Sequence, residues 1–155
     1  MAHDYEPFKL YPIGIQTPQG VSFFLEYSPA GCFPMTFWTD LLDEYKRVYH
    51  QREDSRFQTW DQWIGSLEGE TISLENWILL GLDKDYQARA VGLSTCQHTF
   101  HYGTILSYYG IMNTVVPPKY LYKALEKVAR IVGVRVWCRG TWKTPMKYEL
   151  KFKEI

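Results

Sequence analysis

The chain has 155 residues, enough for one domain with a continuous core, and its 17 basic residues balance 17 acidic ones. A formal net charge of zero excludes a nucleic-acid binder that relies on bulk electrostatics, so nucleic acid is not expected as a partner. The three cysteines, Cys32, Cys96 and Cys138, are too few and too scattered for a disulfide scaffold, and they point to a reducing cytoplasm.

In chain order, residues 8–15 and 21–27 read as strands separated by the turn signal Pro18-Gln19-Gly20. Pro12 marks the first as an edge or broken strand. Trp38, Leu41, Leu42, Tyr45, Val48 and Tyr49 fall on one helical face and predict a helix over about 36–51, with Thr36 as its N-cap. Thr59-Trp60-Asp61-Gln62 has the spacing of a capping box ahead of a short helix that ends around Gly65 to Gly69.

The middle of the chain reads as β. Residues 72–82 alternate imperfectly, Asp83-Lys84-Asp85 suits a tight turn, and 86–95 returns as the hairpin partner. Residues 96–103 read as a loop or frayed strand end. The run 104–116 is apolar on both faces, as a central covered strand is.

After Pro117 and Pro118 comes an amphipathic helix over 118–132, with Leu121, Leu125, Val128 and Val132 as its buried stripe. Gly133 fits the left-handed position that ends many helices. A strand over 134–139, a short connection over 141–145 and a last strand over 147–155 complete the chain. In the last strand Tyr148, Leu150 and Phe152 face one way, while Lys147, Glu149, Lys151 and Lys153 face the other. The fold class that follows is α+β: a single domain over 1–155 with one mixed, mainly antiparallel central sheet flanked by helices.

Over roughly 20–142 this order of elements resembles the GCN5-related N-acetyltransferase (GNAT) family. The residues that carry the likeness are Tyr109-Gly-Ile-Met-Asn-Thr-Val-Val-Pro-Pro118 and Leu125-Glu-Lys-Val-Ala-Arg-Ile-Val-Gly133. The resemblance implies that Val115 and Val116 lie against the pantetheine arm of acetyl-CoA. It also implies that the 118–122 backbone, with Tyr120 in it, approaches the pyrophosphate with N–H groups, and that Lys119 or Lys123 supplements it with charge. The family's phosphate loop is basic and glycine-rich, because glycine lets backbone close on phosphate. Here Pro117-Pro-Lys-Tyr-Leu-Tyr-Lys-Ala-Leu125 contains no glycine, and its two prolines supply no N–H.

Other constellations have ordinary readings. Cys96, His98 and His101 are residue types that ligate zinc, but their spacing matches no strong zinc signature, so no metal is expected. Glu70, Glu75 and Asp85 are candidate bases, with Tyr102 or Tyr148 as candidate acids. Arg135, Arg139, Lys143, Lys147, Lys151 and Lys153 lie among Trp137, Trp142 and Tyr148. Interleaved with those aromatics they could form a nucleic-acid surface, but alternating lysines of that kind chiefly guard a sheet edge.

Aromatic residues make up 17% of the chain, which suits packed protein interfaces as well as a core. The expectation is a soluble, non-catalytic assembly or interaction protein with protein partners or self-assembly, no cofactor and no membrane. A bacteriophage virion or phage accessory role would suit it, in the cytoplasm or inside the assembled particle. The alternative is an acetyl-CoA-dependent N-acetyltransferase acting on an amine.

Overall fold

Seven strands lie side by side in chain order in one sheet: β1 (Tyr11–Gln16), β2 (Ser22–Ser28), β3 (Asn76–Leu82), β4 (Ala88–Thr99), β5 (Gly103–Asn113), β6 (Val136–Thr144) and β7 (Lys147–Glu154). The structure is a computed structural model that describes residues 3–34, 41–43, 46, 58–144 and 147–155, with backbone alone over 141–144. Two full helices are described, α1 (Trp60–Ser73) and α2 (Pro118–Val132). Every neighbouring pair of strands is antiparallel except β5 and β6, which run parallel because α2 carries the chain back between them. The fold is therefore α+β, with a mixed, mainly antiparallel sheet.

Each face of the sheet has its own apolar cluster. On one face Leu121, Leu125 and Val128 of α2 pack on Phe23, Leu25, Leu79, Leu106, Tyr108 and Trp137. On the other, Leu67 of α1 and Leu41 meet Ile78, Leu80, Val91, Leu93 and Met112. Strands covered on both sides lose polar alternation, which is why β3 is buried at every position.

α2 is seated by more than its stripe. The buried Tyr108 hydroxyl donates to the Leu125 carbonyl at 2.7 Å, tying β5 to the middle of the helix. Gly92 lies beneath, and a Cβ there would come within 3.0 Å of Leu125 and 3.1 Å of Tyr108. Gly133 ends the helix in the left-handed region at φ 91°, its N–H donating to Ala129 O.

α1 begins as expected: Gln62 N–H donates to the Thr59 hydroxyl, and Thr59 N–H donates to the Gln62 side chain. It does not end at Gly65 to Gly69 but runs to Ser73, because Leu67 and Thr71 continue its buried face. Ile72 therefore belongs to the helix, and β3 starts only at Asn76. Trp38, Tyr45, Val48 and Tyr49 of the helix expected over 36–51 lie outside the described residues. Within it, 41–43 and 46 are helical and Leu41 is fully buried.

Strand extends into 96–99, expected as a loop or frayed strand end, and into 141–144, expected as a connection. β4 continues to Thr99, whose hydroxyl accepts from Tyr102 N–H and donates to Gly103 O, so the chain reverses tightly instead of looping. β6 runs through to Thr144, with Trp142 opposite Tyr148 and Thr144 opposite Lys147. At the other end of the central strand, β5 stops at Asn113 and not at Val116.

Candidate functional site

The junction between β5, β6 and α2 is built on a local irregularity. Leu93 pairs with Gly110 but the next residue, Ser94, pairs with Tyr108, so Tyr109 has no cross-strand partner and β5 bulges there. Below the bulge Leu106, Ser107 and Tyr108 pair with Trp137, Cys138 and Arg139. Above it, 109–113 of β5 and 140–144 of β6 run on without pairing to each other. Parallel strands that part in this way leave a wedge of backbone, with α2 starting just past its β5 wall.

A polar network anchors the bulge to α1. The Tyr109 hydroxyl donates to the buried Asn76 side-chain oxygen and lies 3.4 Å from the Thr71 hydroxyl. Asn76 in turn donates to the carbonyls of Thr71 and Leu74, at 2.6 and 3.0 Å. Burial pushes the Tyr109 phenol up from 10.0 to about 12, so it stays a neutral donor.

Beyond β5 the chain closes on itself. Val116 N–H donates to Asn113 Oδ1 at 3.0 Å, and Asn113 Nδ2 donates to the Val116 carbonyl at 2.7 Å. One side chain thus satisfies both backbone groups of the residue expected to pair with pantetheine. The Val116 side chain is buried in the α2-side cluster, whereas Val115 is exposed. Thr114 is held by the Arg89 carbonyl, through its N–H at 3.2 Å and its hydroxyl at 3.1 Å.

The start of α2 is similarly engaged. Pro118 has no N–H, and the N–H groups of Tyr120 and Leu121 both donate to Pro117 O, at 3.0 and 3.2 Å. No side chain caps the helix. Lys119 places its Nζ 4.9 Å from the centre of the Tyr120 ring, Tyr120 packs against the core, and Lys123 is exposed. Val115, Lys119, Tyr120 and Lys123 are thus neighbours in chain and space around one helix start, with Val116 beneath them in the core.

The remaining candidates do not converge. Glu75 accepts from the Tyr27 hydroxyl at 2.7 Å; burial first, and that bond second, push the Tyr27 phenol up to about 12. Asp85 sits in the β3–β4 turn, where Asp83 accepts from Asp85 and Gln87 N–H and from Arg89. The Gln87 N–H bond, followed by Arg89, holds the Asp83 carboxyl below its usual range. Among the described residues no group of His, Cys, Asp and Glu side chains is gathered as a metal site would need. Trp137 is buried and cannot stack on a base, and Arg139 lies 4.6 Å over the Tyr122 ring. Side chains of Trp142 and Lys143 lie outside the described residues. Sequence reasoning passed over Glu26, a carboxylate fully buried and engaged in β2.

The sheet edge beside β6 offers a surface instead. β7 is its last strand and is exposed at every position except Glu149. Tyr148, Leu150 and Phe152 present 48%, 54% and 40% of their surface to solvent. Tyr102, from the β4–β5 turn, stacks on Phe152 with ring centres 4.8 Å apart. Beside them lies a recess of about 410 Å³ lined by Tyr102, Arg135, Val136, Phe152, Lys153 and Glu154.

The described residues thus define an α+β protein with one mixed sheet, a strand–helix junction bonded within the chain at Val116 and Tyr120, and an apolar sheet edge. No protein-family model and no curated protein sequence matches the chain. No helix among the described residues is long and apolar enough to cross a membrane.

Proposed function

We propose that this chain is a non-catalytic assembly or interaction protein, built on a frame that resembles the GNAT fold and working through protein contacts. The observation that carries the reading is the contrast between the strand–helix junction and the β7 edge. At the junction the N–H groups of Val116, Tyr120 and Leu121 are already bonded to Asn113 and Pro117. At the β7 edge, Tyr148, Leu150 and Phe152 keep a large exposed surface among the described residues. A bacteriophage particle, or an accessory factor of one, is the setting proposed. The test is light scattering of the purified protein together with its sedimentation alongside assembled particles. A chain that is monomeric at every concentration and joins no particle contradicts the reading.

A second reading, an acetyl-CoA-dependent N-acetyltransferase acting on an amine, is favoured by one observation. β5 and β6 are parallel and part beyond a bulge, which is the kind of gap that family uses for pantetheine. Saturable micromolar binding of acetyl-CoA, lost in Val116→Pro, would establish it over the first.

A further inference from the structure

The two edges of the sheet are guarded differently. β1 carries Pro12, its register with β2 is irregular between Pro12 and Gln16, and Gly14 bends it at φ 76°. Those are the features that keep an edge strand from pairing with another chain. β7 has no proline, no glycine and no positive φ, and its outer row of backbone groups faces away from β6.

The side chains of β7 are close to palindromic about Leu150. Tyr148, Leu150 and Phe152 share the face of Gly140 and Cys138, their partners on β6 or the neighbours of those partners. Lys147, Glu149, Lys151 and Lys153 occupy the other face, where Lys153 lies 6.0 Å from the Trp137 ring.

Building on the interaction reading above, we propose that β7 pairs antiparallel with β7 of a second copy of this chain, about a two-fold axis at Leu150, joining two sheets into one. In that register Leu150 faces its own copy and Tyr148 faces the partner's Phe152. Glu149 faces the partner's Lys151, and the symmetry repeats each pair. Both faces of the new strand pair are therefore complementary, apolar on one and oppositely charged on the other. Lys147 faces the partner's Lys153 only at the ends of the pairing, where solvent screens the repulsion, and Lys147 already lies 3.5 Å from Glu149.

Neighbouring registers are worse. An axis at Glu149 sets that carboxylate against itself and Lys147 against the partner's Lys151. An axis at Lys151 sets lysine against lysine at closest approach and Tyr148 against the partner's Glu154. Lysines on an edge normally discourage unselected pairing, and one glutamate among them selects a single alignment. The Tyr102 ring stacked on Phe152 widens the apolar stripe on each side of the axis.

Sedimentation equilibrium over a roughly hundredfold range of concentration is the first measurement, because dimer content rises with concentration. A limiting mass of twice 18.3 kDa is expected. Lys151→Glu sets Glu149 against a glutamate and is expected to raise the dissociation constant about tenfold or more. The double variant Glu149→Lys with Lys151→Glu restores opposite charges across the axis and is expected to recover the dimer. Lys151 is exposed, so far-UV circular dichroism of Lys151→Glu should not change. Leu150→Cys, on the axis, is expected to cross-link to its own copy without reductant.

A monomer at all concentrations overturns the pairing. So does a dimer that Lys151→Glu leaves intact and Leu150→Cys does not cross-link. A monomer that still sediments with assembled particles overturns only the β7 pairing. Micromolar acetyl-CoA binding overturns the interaction reading on which it rests.

Discussion

Tyr109 and Asn113 do for this junction what no residue on its surface does. Asn113 closes the 113–116 turn by bonding to both backbone groups of Val116, and Tyr109 fastens the bulge to α1 through Asn76. Tyr109→Phe removes the donor and leaves the buried Asn76 oxygen unsatisfied, so a loss of about 1–3 kcal/mol is expected in urea unfolding. A loss too small to measure would mean that the network does not hold the bulge. The same phenol and that of Tyr27 titrate near 12 in the folded chain, against 10.0 for the ordinary side chain. The folded state thus holds these protons more tightly than the unfolded one. The stability they contribute is complete below pH 10 and is lost as pH rises from 10 toward 12. The unfolding midpoint is expected to fall over that window, and to fall less in Tyr27→Phe. A pH-independent midpoint across it would contradict the burial described for both hydroxyls.

Elements differ in how much of their form could be read in advance, and the reason is physical in each case. α2 was legible because its apolar stripe has one period and its end has a glycine that the left-handed position favours. β7 was legible because alternation is unambiguous on a half-exposed strand. Ile72 misled because an apolar residue at that spacing fits a helix end as well as a strand start, and tertiary burial of Leu67 and Thr71 decided for the helix. Residues 96–103 read only as a loop or frayed strand end because Thr99, not a turn dipeptide, makes the bonds of the turn. The bulge at Tyr109 leaves no mark in composition at all. It follows from register, which is a property of two strands together.

The seat of α2 gives an element-scale prediction. Leu125 is fully buried and Tyr108 is pinned by its bond to the helix, so neither can yield to a new methyl at Gly92. Gly92→Ala is expected to cost about 1–3 kcal/mol by thermal unfolding, through the lift of α2 from β4 and β5. Gly140 has a parallel role in the last hairpin, since the Tyr148 ring occupies the place of a Cβ there. Gly140→Ala is expected to displace that ring and lower stability, while Gly133→Ala acts only through backbone strain at φ 91°. Equal tolerance of alanine at Gly92 and at an open, unstrained glycine such as Gly65 would contradict this packing.

At the scale of the whole molecule, parallel strands part beyond a bulge at the strand–helix junction while the adjoining turn is bonded within the chain. The candidate residues of that junction were only partly legible. Val115, Lys119, Tyr120 and Lys123 do gather at the start of α2, but the commitment of Val116 to Asn113 depends on a turn that spacing cannot reveal. The apolar edge of β7 was visible as alternation, yet its exposure depends on being last in the sheet. Titration calorimetry of the intact chain with acetyl-CoA separates the two ways of reading this molecule most directly. No saturable heat is expected at micromolar concentrations, because Asn113 and Pro117 already hold the N–H groups of Val116, Tyr120 and Leu121. Saturable micromolar binding at one site per chain would contradict it.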